Sequence, residues 1–166
     1  MLAEDMMLDF KNATESAADT QAVHRALEAL TAEHIGVKLF TLMTFDRETG
    51  LASRCYSNMP QAYPCSSTKT VDSDRWSDQV LDGQQNFVAN DIGSIAEVFN
   101  DHALIQSLGC ESVLNLPVVV GGAVLGTINL LHEAGFYTPD KVAAAEILKL
   151  PGSVCFLKEK LSMGGQ

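Results

Sequence analysis

The sequence predicts an α+β domain of three layers: a central, mostly antiparallel sheet with the terminal helices on one face and a loop-and-helix segment on the other. Three observations carry this. The runs 112–120 and 123–132 are rich in β-formers and are separated by Gly121-Gly122, the pattern of a tight hairpin. Both faces of that hairpin are apolar, so neither can be left wet. Segments with helical spacing of apolar residues flank it toward both ends of the chain.

From the N-terminus, Leu2, Met6 and Phe10 recur every four residues and predict a weak helix over 2–17. Thr20 is the expected N-cap of a second helix. Its stripe is Ala22, Val23, Ala26, Leu27 and Leu30, and Gly36 ends it. Residues 37–45 read as a strand, 46–50 as a turn and 51–57 as the return strand. A polar loop with Pro60 and Pro64 follows. Asp72 or Ser73 is expected to cap a short helix through Trp76, Val80 and Leu81, closed by Gly83. Residues 86–89 suit a short strand, and 91–109 one or two short helices.

A two-residue turn in the central hairpin pairs Val120 with Ala123, and continuous pairing follows from there. Leu114, Leu116, Val118, Leu125, Thr127 and Leu131 then share one face, and Val113, Pro117, Val119, Val124, Ile128 and Leu130 the other. In that register Asn115 and Asn129 point to opposite faces. Each is a buried amide in need of partners. One is expected to bond backbone and one to face a cavity, and the register leaves open which. Thr138-Pro139 opens the last helix in cap-then-proline order, with Val142, Ala143, Ile147 and Leu150 as its stripe. Pro151-Gly152 is expected to break or kink it before a final segment to residue 161.

Bulk properties bound the function. The chain has 166 residues, which suits a single domain over 1–166 with its core at about 22–154; 46% are hydrophobic, enough for a core. A net charge of -10, from 11 basic and 21 acidic residues, repels phosphate backbones and anionic membranes, so no nucleic-acid or membrane partner is expected. No signal peptide or membrane span is legible. Cys55, Cys65, Cys110 and Cys155 form no CxxC pair, and His24, His34, His102 and His132 show no metal spacing. Reduced thiols, a cytoplasmic location and no metal are therefore expected. No Ser/His/Asp set or paired carboxylates stand out, so no catalytic residue is assigned.

The order of elements and the stretch SVLNLPVVVGGAVLGTINLLHEAGFYTPDKVAAAE over 112–146 resemble the GAF family, which is PAS-related. The matching features are Leu116-Pro117 in a strand, a tight turn, Leu125-Gly126-x-Ile128-x-Leu130, and Tyr137-Thr138-x-Asp140 at a helix start. Phe45-Asp46-Arg47-Glu48-Thr49-Gly50 resembles the family's first hairpin. Tyr56-Ser57-Asn58 through Tyr63-Pro64 resembles a loop of free-standing bacterial members. The resemblance spans about 22–154. It implies a sensory or regulatory domain that binds a small molecule between the sheet and residues 56–109, here without an attached output domain. It leaves the ligand and any cofactor unknown, because the family binds cyclic nucleotides, tetrapyrroles, haem, amino acids and other small molecules.

Signatures narrow this little. Phe136 and Asp140 match part of a cyclic-nucleotide pattern, but Lys141 stands where an acid is expected. Cys110 lacks a bilin-attachment motif. The candidate ligand contacts are Tyr56, Tyr63, Trp76, Asn90, Asp91, Cys110 and Ser112. Each also has a plain structural role: core packing for Trp76, loop pinning for the tyrosines, helix capping for Asn90 and Asp91. The alternative function is that of the free methionine-(R)-sulfoxide reductases, which the chain resembles in length. Cys65 and Cys110 would then be the thiols that reduce the sulfoxide through a sulfenic acid and a disulfide. The apolar stripes of the terminal helices imply a homodimer, and a domain that only dimerises or docks a partner is a third reading.

Overall fold

Gly121 and Gly122 both take positive φ and turn the chain as the sequence predicts, and a six-stranded sheet is built around that turn. The computed structural model describes residues 2–65 and 68–164. Helices α1 (Ala3–Glu15) and α2 (Thr20–His34) lead into the hairpin of β1 (Leu39–Asp46) and β2 (Leu51–Ser57). An edge strand β3 (Thr68–Thr70) follows, then α3 (Arg75–Ser77), which runs into a π-helical turn over Asp78–Asp82. Strand β4 (Phe87–Ala89), α4 (Ile92–Ala96) and α5 (His102–Ser107) precede the hairpin of β5 (Ser112–Val120) and β6 (Ala123–His132). After it come α6 (Pro139–Ala145), a 3-10 turn over Glu146–Leu148, and α7 (Lys149–Gly164). The sheet order is β3-β2-β1-β6-β5-β4, and every neighbouring pair is antiparallel.

Both faces of the β5–β6 ribbon are covered, as its composition requires. On one side Phe40, Leu42, Leu114, Leu116, Ile128 and Leu130 pack with Met6, Phe10, Val23, Leu27, Leu30 and Phe156 from the terminal helices and with Leu148 of the 3-10 turn. On the other, Leu39, Val113, Val124 and Leu131 pack with Val80, Leu81, Phe87, Ile95 and Ile105 from the middle segment. Each such side chain, fully buried, stabilises the fold by about 1.5–3 kcal/mol relative to exposure. Among the described residues no helix is long and apolar enough to cross a membrane.

Two strand irregularities change which side chains share a face. In β5–β6 the pairing starts as expected, Val120 with Ala123 and Val119 with Val124, but Val118 then pairs with Gly126. Leu125 is the extra residue of a β-bulge, half-buried against the terminal-helix core. From there on the register is one residue away from continuous pairing. Asn115 lies opposite Asn129, on the same face, which corrects the expectation of opposite faces. In β1–β2 the pairing shifts between Leu42 and Met43: Leu42 faces Tyr56 while Met43 faces Arg54. Cys55 is the residue left over, and it and Tyr56 both join the terminal-helix core.

Smaller differences have local causes. Asp19, not Thr20, caps α2 by accepting the Ala22 N–H at 2.8 Å. Asp74, not Asp72 or Ser73, caps α3 through a capping box with Ser77. Residues 146–148 tighten into the 3-10 turn, so the break comes before Pro151, which sits in the first turn of α7 where its missing N–H costs nothing. Strand β3 is all polar and pairs at an edge, so it carries no hydrophobic alternation to read.

Gly126 stands at the bulge because nothing larger fits. A Cβ there would run into the Met43 carbonyl oxygen and come within 2.6 Å of the Phe156 ring. Gly126→Ala is expected to destabilise the domain by roughly 1–3 kcal/mol through overpacking against backbone. Gly152→Ala, whose Cβ would meet the flexible Ile128 Cδ1 at 2.7 Å, should cost less. Urea unfolding midpoints at constant m-value check both.

Candidate functional site

On the sheet face away from the terminal helices lies a cavity of about 480 Å3. Its floor is the sheet: Leu39 and Thr41 of β1, Val113 and Asn115 of β5, Thr127, Asn129 and Leu131 of β6. Trp76 of α3 and Leu81 of the π-helical turn form one wall, and Val98, Phe99 and Ile105 another. Trp76 and Phe99 meet edge to face at 6.5 Å, and Phe99 does the same with Phe87 at 5.9 Å. Arg54, Tyr63, Lys69, Asp72, Asp74 and Asp101 line the cavity toward the β2–β3 side and the start of α5.

The floor carries a directed hydrogen-bond relay. Trp76 Nε1 donates to Asn115 Oδ1 at 2.9 Å, Asn115 Nδ2 donates to Asn129 Oδ1 at 2.8 Å, and Asn129 Nδ2 donates to Thr41 Oγ1 at 3.2 Å. An indole N–H can only donate, so the Asn115 oxygen must face Trp76, and every later link follows. The relay takes one N–H and one oxygen lone pair from each amide. Each amide has a second of both, and the Thr41 hydroxyl keeps its own proton. The floor can therefore donate and accept at once.

The opposite corner is charged. Arg54 lies 4.9 Å over the Tyr63 ring, and its Nη1 donates to the Pro64 carbonyl at 3.2 Å. Its Nε is buried and has no partner among the described residues. Tyr63 Oη donates to Asp101 Oδ2 at 2.6 Å, tying the β2–β3 loop to the start of α5. Burial, then this hydrogen bond, push the Tyr63 phenol above its usual pKa, so it stays a donor.

The family model for the GAF domain matches residues 16–148, which is most of the chain. The chain belongs to the GAF domain family. Comparison with curated protein sequences finds no match. Among solved structures, this GAF domain resembles the GAF domain of an Acinetobacter phosphoenolpyruvate-protein phosphotransferase, with a TM-score of 0.74 at 13% identity over 99% of this chain and 98% of that one. It also resembles a GAF domain/HD domain protein from Geobacter sulfurreducens, with a TM-score of 0.66 at 17% identity over 89% and 97%. The GAF domain of a two-component sensor histidine kinase from Bacillus halodurans gives 0.62 at 16% identity over 86% and 95%. At such identities these likenesses establish the fold.

The GAF fold brings only part of the sequence-predicted set to the cavity. Tyr63 and Trp76 line it. Tyr56 does not: the β2 irregularity turns it to the other face, where its hydroxyl donates to Glu28 at 2.5 Å and its ring packs on His24 and Phe40. Asn90 holds the Tyr137 backbone by two bonds, of 2.9 and 3.0 Å. Asp91 caps α4 at the Ser94 N–H. Ser112 donates to the His132 carbonyl. Cys110 is fully buried in the core beneath the middle segment. Cys65 is exposed, and neither it nor Cys110 is among the lining residues. Burial raises both thiol pKa values, Lys38 opposing this at Cys110 and Arg54 at Cys65, which leaves neither as a ready thiolate.

Sequence reasoning missed Arg54 and Thr41 as lining residues. For Arg54 and Thr41 no signal existed without the strand registers. For the two asparagines the signal was present: each was anomalous alone, and a register that pairs them satisfies both. Asn115→Ala is expected to destabilise the domain by about 1–3 kcal/mol, because it leaves the Trp76 N–H and the Asn129 oxygen unpartnered. Asn129→Ala should behave alike. The double variant should fall short of the sum by about 0.5–3 kcal/mol, a coupling that a double-mutant cycle in urea reads directly.

Proposed function

We propose that this GAF domain binds a small molecule reversibly in the cavity above Asn115 and Asn129, and that it acts as a sensor through a homodimer formed by its terminal helices. The observation that carries the first half is the unused donor and acceptor capacity of the buried amide relay. A cavity of about 480 Å3 falls within the range of roughly 300–1,000 Å3 usual for ligand sites, and its apolar walls with a few placed polar groups have the usual composition of one. The matching ligand has an apolar body and one edge that donates and accepts. Arg54 Nε adds a charged donor at the far corner.

A metabolite panel screened by thermal shift tests this. A true ligand at about 100 times its Kd should stabilise the fold by about 2.7 kcal/mol, raising Tm by several degrees. It should also change the emission of Trp76, the chain's one tryptophan, and both responses should vanish in Asn129→Leu. A broad panel without any compound that does so contradicts the reading.

For the second half, the support is the outer face of α7. Leu150, Val154, Leu157 and Leu161 are all exposed and recur at helical spacing, a stripe with no cover from the described residues. Such a stripe fits a second copy packed around a two-fold axis. Light scattering behind size exclusion should give a dimer mass that Leu157→Glu reduces to that of the monomer. A wild-type monomer at tens of micromolar overturns it.

A further inference from the structure

The terminal-helix core contains a polar cluster that packing does not explain. His24 of α2 is fully buried, Cys55 of β2 is buried, and Glu159 of α7 is mostly covered. A ring nitrogen of His24, the Cys55 sulfur and a Glu159 oxygen all lie within 4.8 Å of one another. His24 Nε2 is 2.9 Å from Glu159 Oε2, while its Nδ1 is buried and has no partner among the described residues. Around them the core is apolar or aromatic: Val23, Leu27, Tyr56 and Phe156. A leucine at position 24 would fill such a core without the desolvation cost of an unpartnered ring nitrogen.

A second observation points the same way. Cys55 is the extra residue of the β1–β2 irregularity, which keeps Tyr56 on the helix side directly after it, so that the Tyr56 ring closes over the cluster 6.0 Å from that of His24. Bulges commonly re-aim a side chain next to a functional site. The cluster lies on the opposite face of the sheet from the cavity and shares no residue with it.

We propose that His24, Cys55 and Glu159 form a divalent transition-metal site, best matched to Zn2+, that clamps α2 and α7 to β2. One imidazole nitrogen, one thiolate and one carboxylate make the mixed N/S/O set that Zn2+ takes, with a fourth tetrahedral position open. Bonds of about 2.0–2.3 Å place tetrahedral donors roughly 3.3–3.7 Å apart, which small rotations from the present spacing reach. As the metal bonds form, the thiol proton leaves to solvent, and the proton between His24 Nε2 and Glu159 gives way to the Nδ1–H tautomer, so the imidazole ligates as the neutral ring. Zn2+ with one thiolate and one carboxylate is then neutral overall, as burial demands. The site would join three elements distant in sequence, so no short ligand spacing marks it.

The test uses the full chain, stripped with chelator and titrated with Co2+ as a spectroscopic stand-in. The expected result is one equivalent per chain with a thiolate-to-cobalt charge-transfer band and tetrahedral d–d absorption, both displaced by Zn2+. Cys55→Ser should abolish the charge-transfer band, whereas Cys65→Ser should leave it unchanged. Glu159→Gln, at the partly exposed edge of the cluster, should weaken Zn2+ binding by at least about tenfold in calorimetry. It carries the comparison should Cys55→Ser not fold. No charge-transfer band in the wild-type chain, a band that survives in folded Cys55→Ser, or unchanged Zn2+ affinity in Glu159→Gln overturns the proposal.

Discussion

Leu114 faces Leu130 and Leu116 faces Ile128 on one side of the β5–β6 ribbon, while Val113 faces Leu131 on the other. A strand pair apolar on both sides has no stable place at a wet surface, so it obliges two covering layers. The terminal helices supply one and the middle segment the other. They differ in finish: Leu114, Leu116, Ile128 and Leu130 pack directly with the terminal helices, whereas the middle segment stands off part of the sheet and leaves the cavity. The proposed ligand site depends on that difference between the two faces.

Two extra residues decide what each face holds. Without the bulge at Leu125, Asn115 would pair with Ile128, and the two amides would sit on opposite sides, each alone in an apolar layer. With it they become one relay with Trp76 and Thr41, and the cost of burying them is offset link by link. Gly126 permits this because Phe156 and the β1 backbone occupy the space a side chain would need. The extra residue Cys55 does the complementary thing in β2. Arg54 lines the cavity and Cys55 faces the helices by plain alternation, and the extra residue brings Tyr56 to the helices as well. A polar binding surface and a polar cluster thus lie back to back across one sheet.

Much of the fold was legible because it rests on patterns that need no register. The Gly121-Gly122 turn, the two-sided apolar ribbon, the stripe Val23, Leu27, Leu30 and the Thr138-Pro139 start all appear in the chain as local signals. The site was legible only in part. Trp76 and Tyr63 were reachable because large aromatics on short helices and loops over a sheet tend to end up beneath them. Asn115 and Asn129 were put on opposite faces because continuous pairing was assumed in the central hairpin, and Tyr56, read from its loop without any register, is likewise turned by one inserted residue to the other face. Asn90, Asp91 and Ser112 all bond backbone groups, and of the three Asp91 takes the helix-capping role read for it, while Asn90 holds the Tyr137 backbone instead.

The pairing of Asn115 with Asn129 is therefore the point on which the account turns. Cross-strand nuclear Overhauser contacts along β5 and β6 in the labelled protein measure it directly. The account predicts contacts between the backbones of Asn115 and Asn129 and of Leu116 and Ile128. Contacts instead between Leu114 and Asn129 and between Asn115 and Ile128 would show unbroken pairing, and would remove the amide relay together with the binding surface built on it.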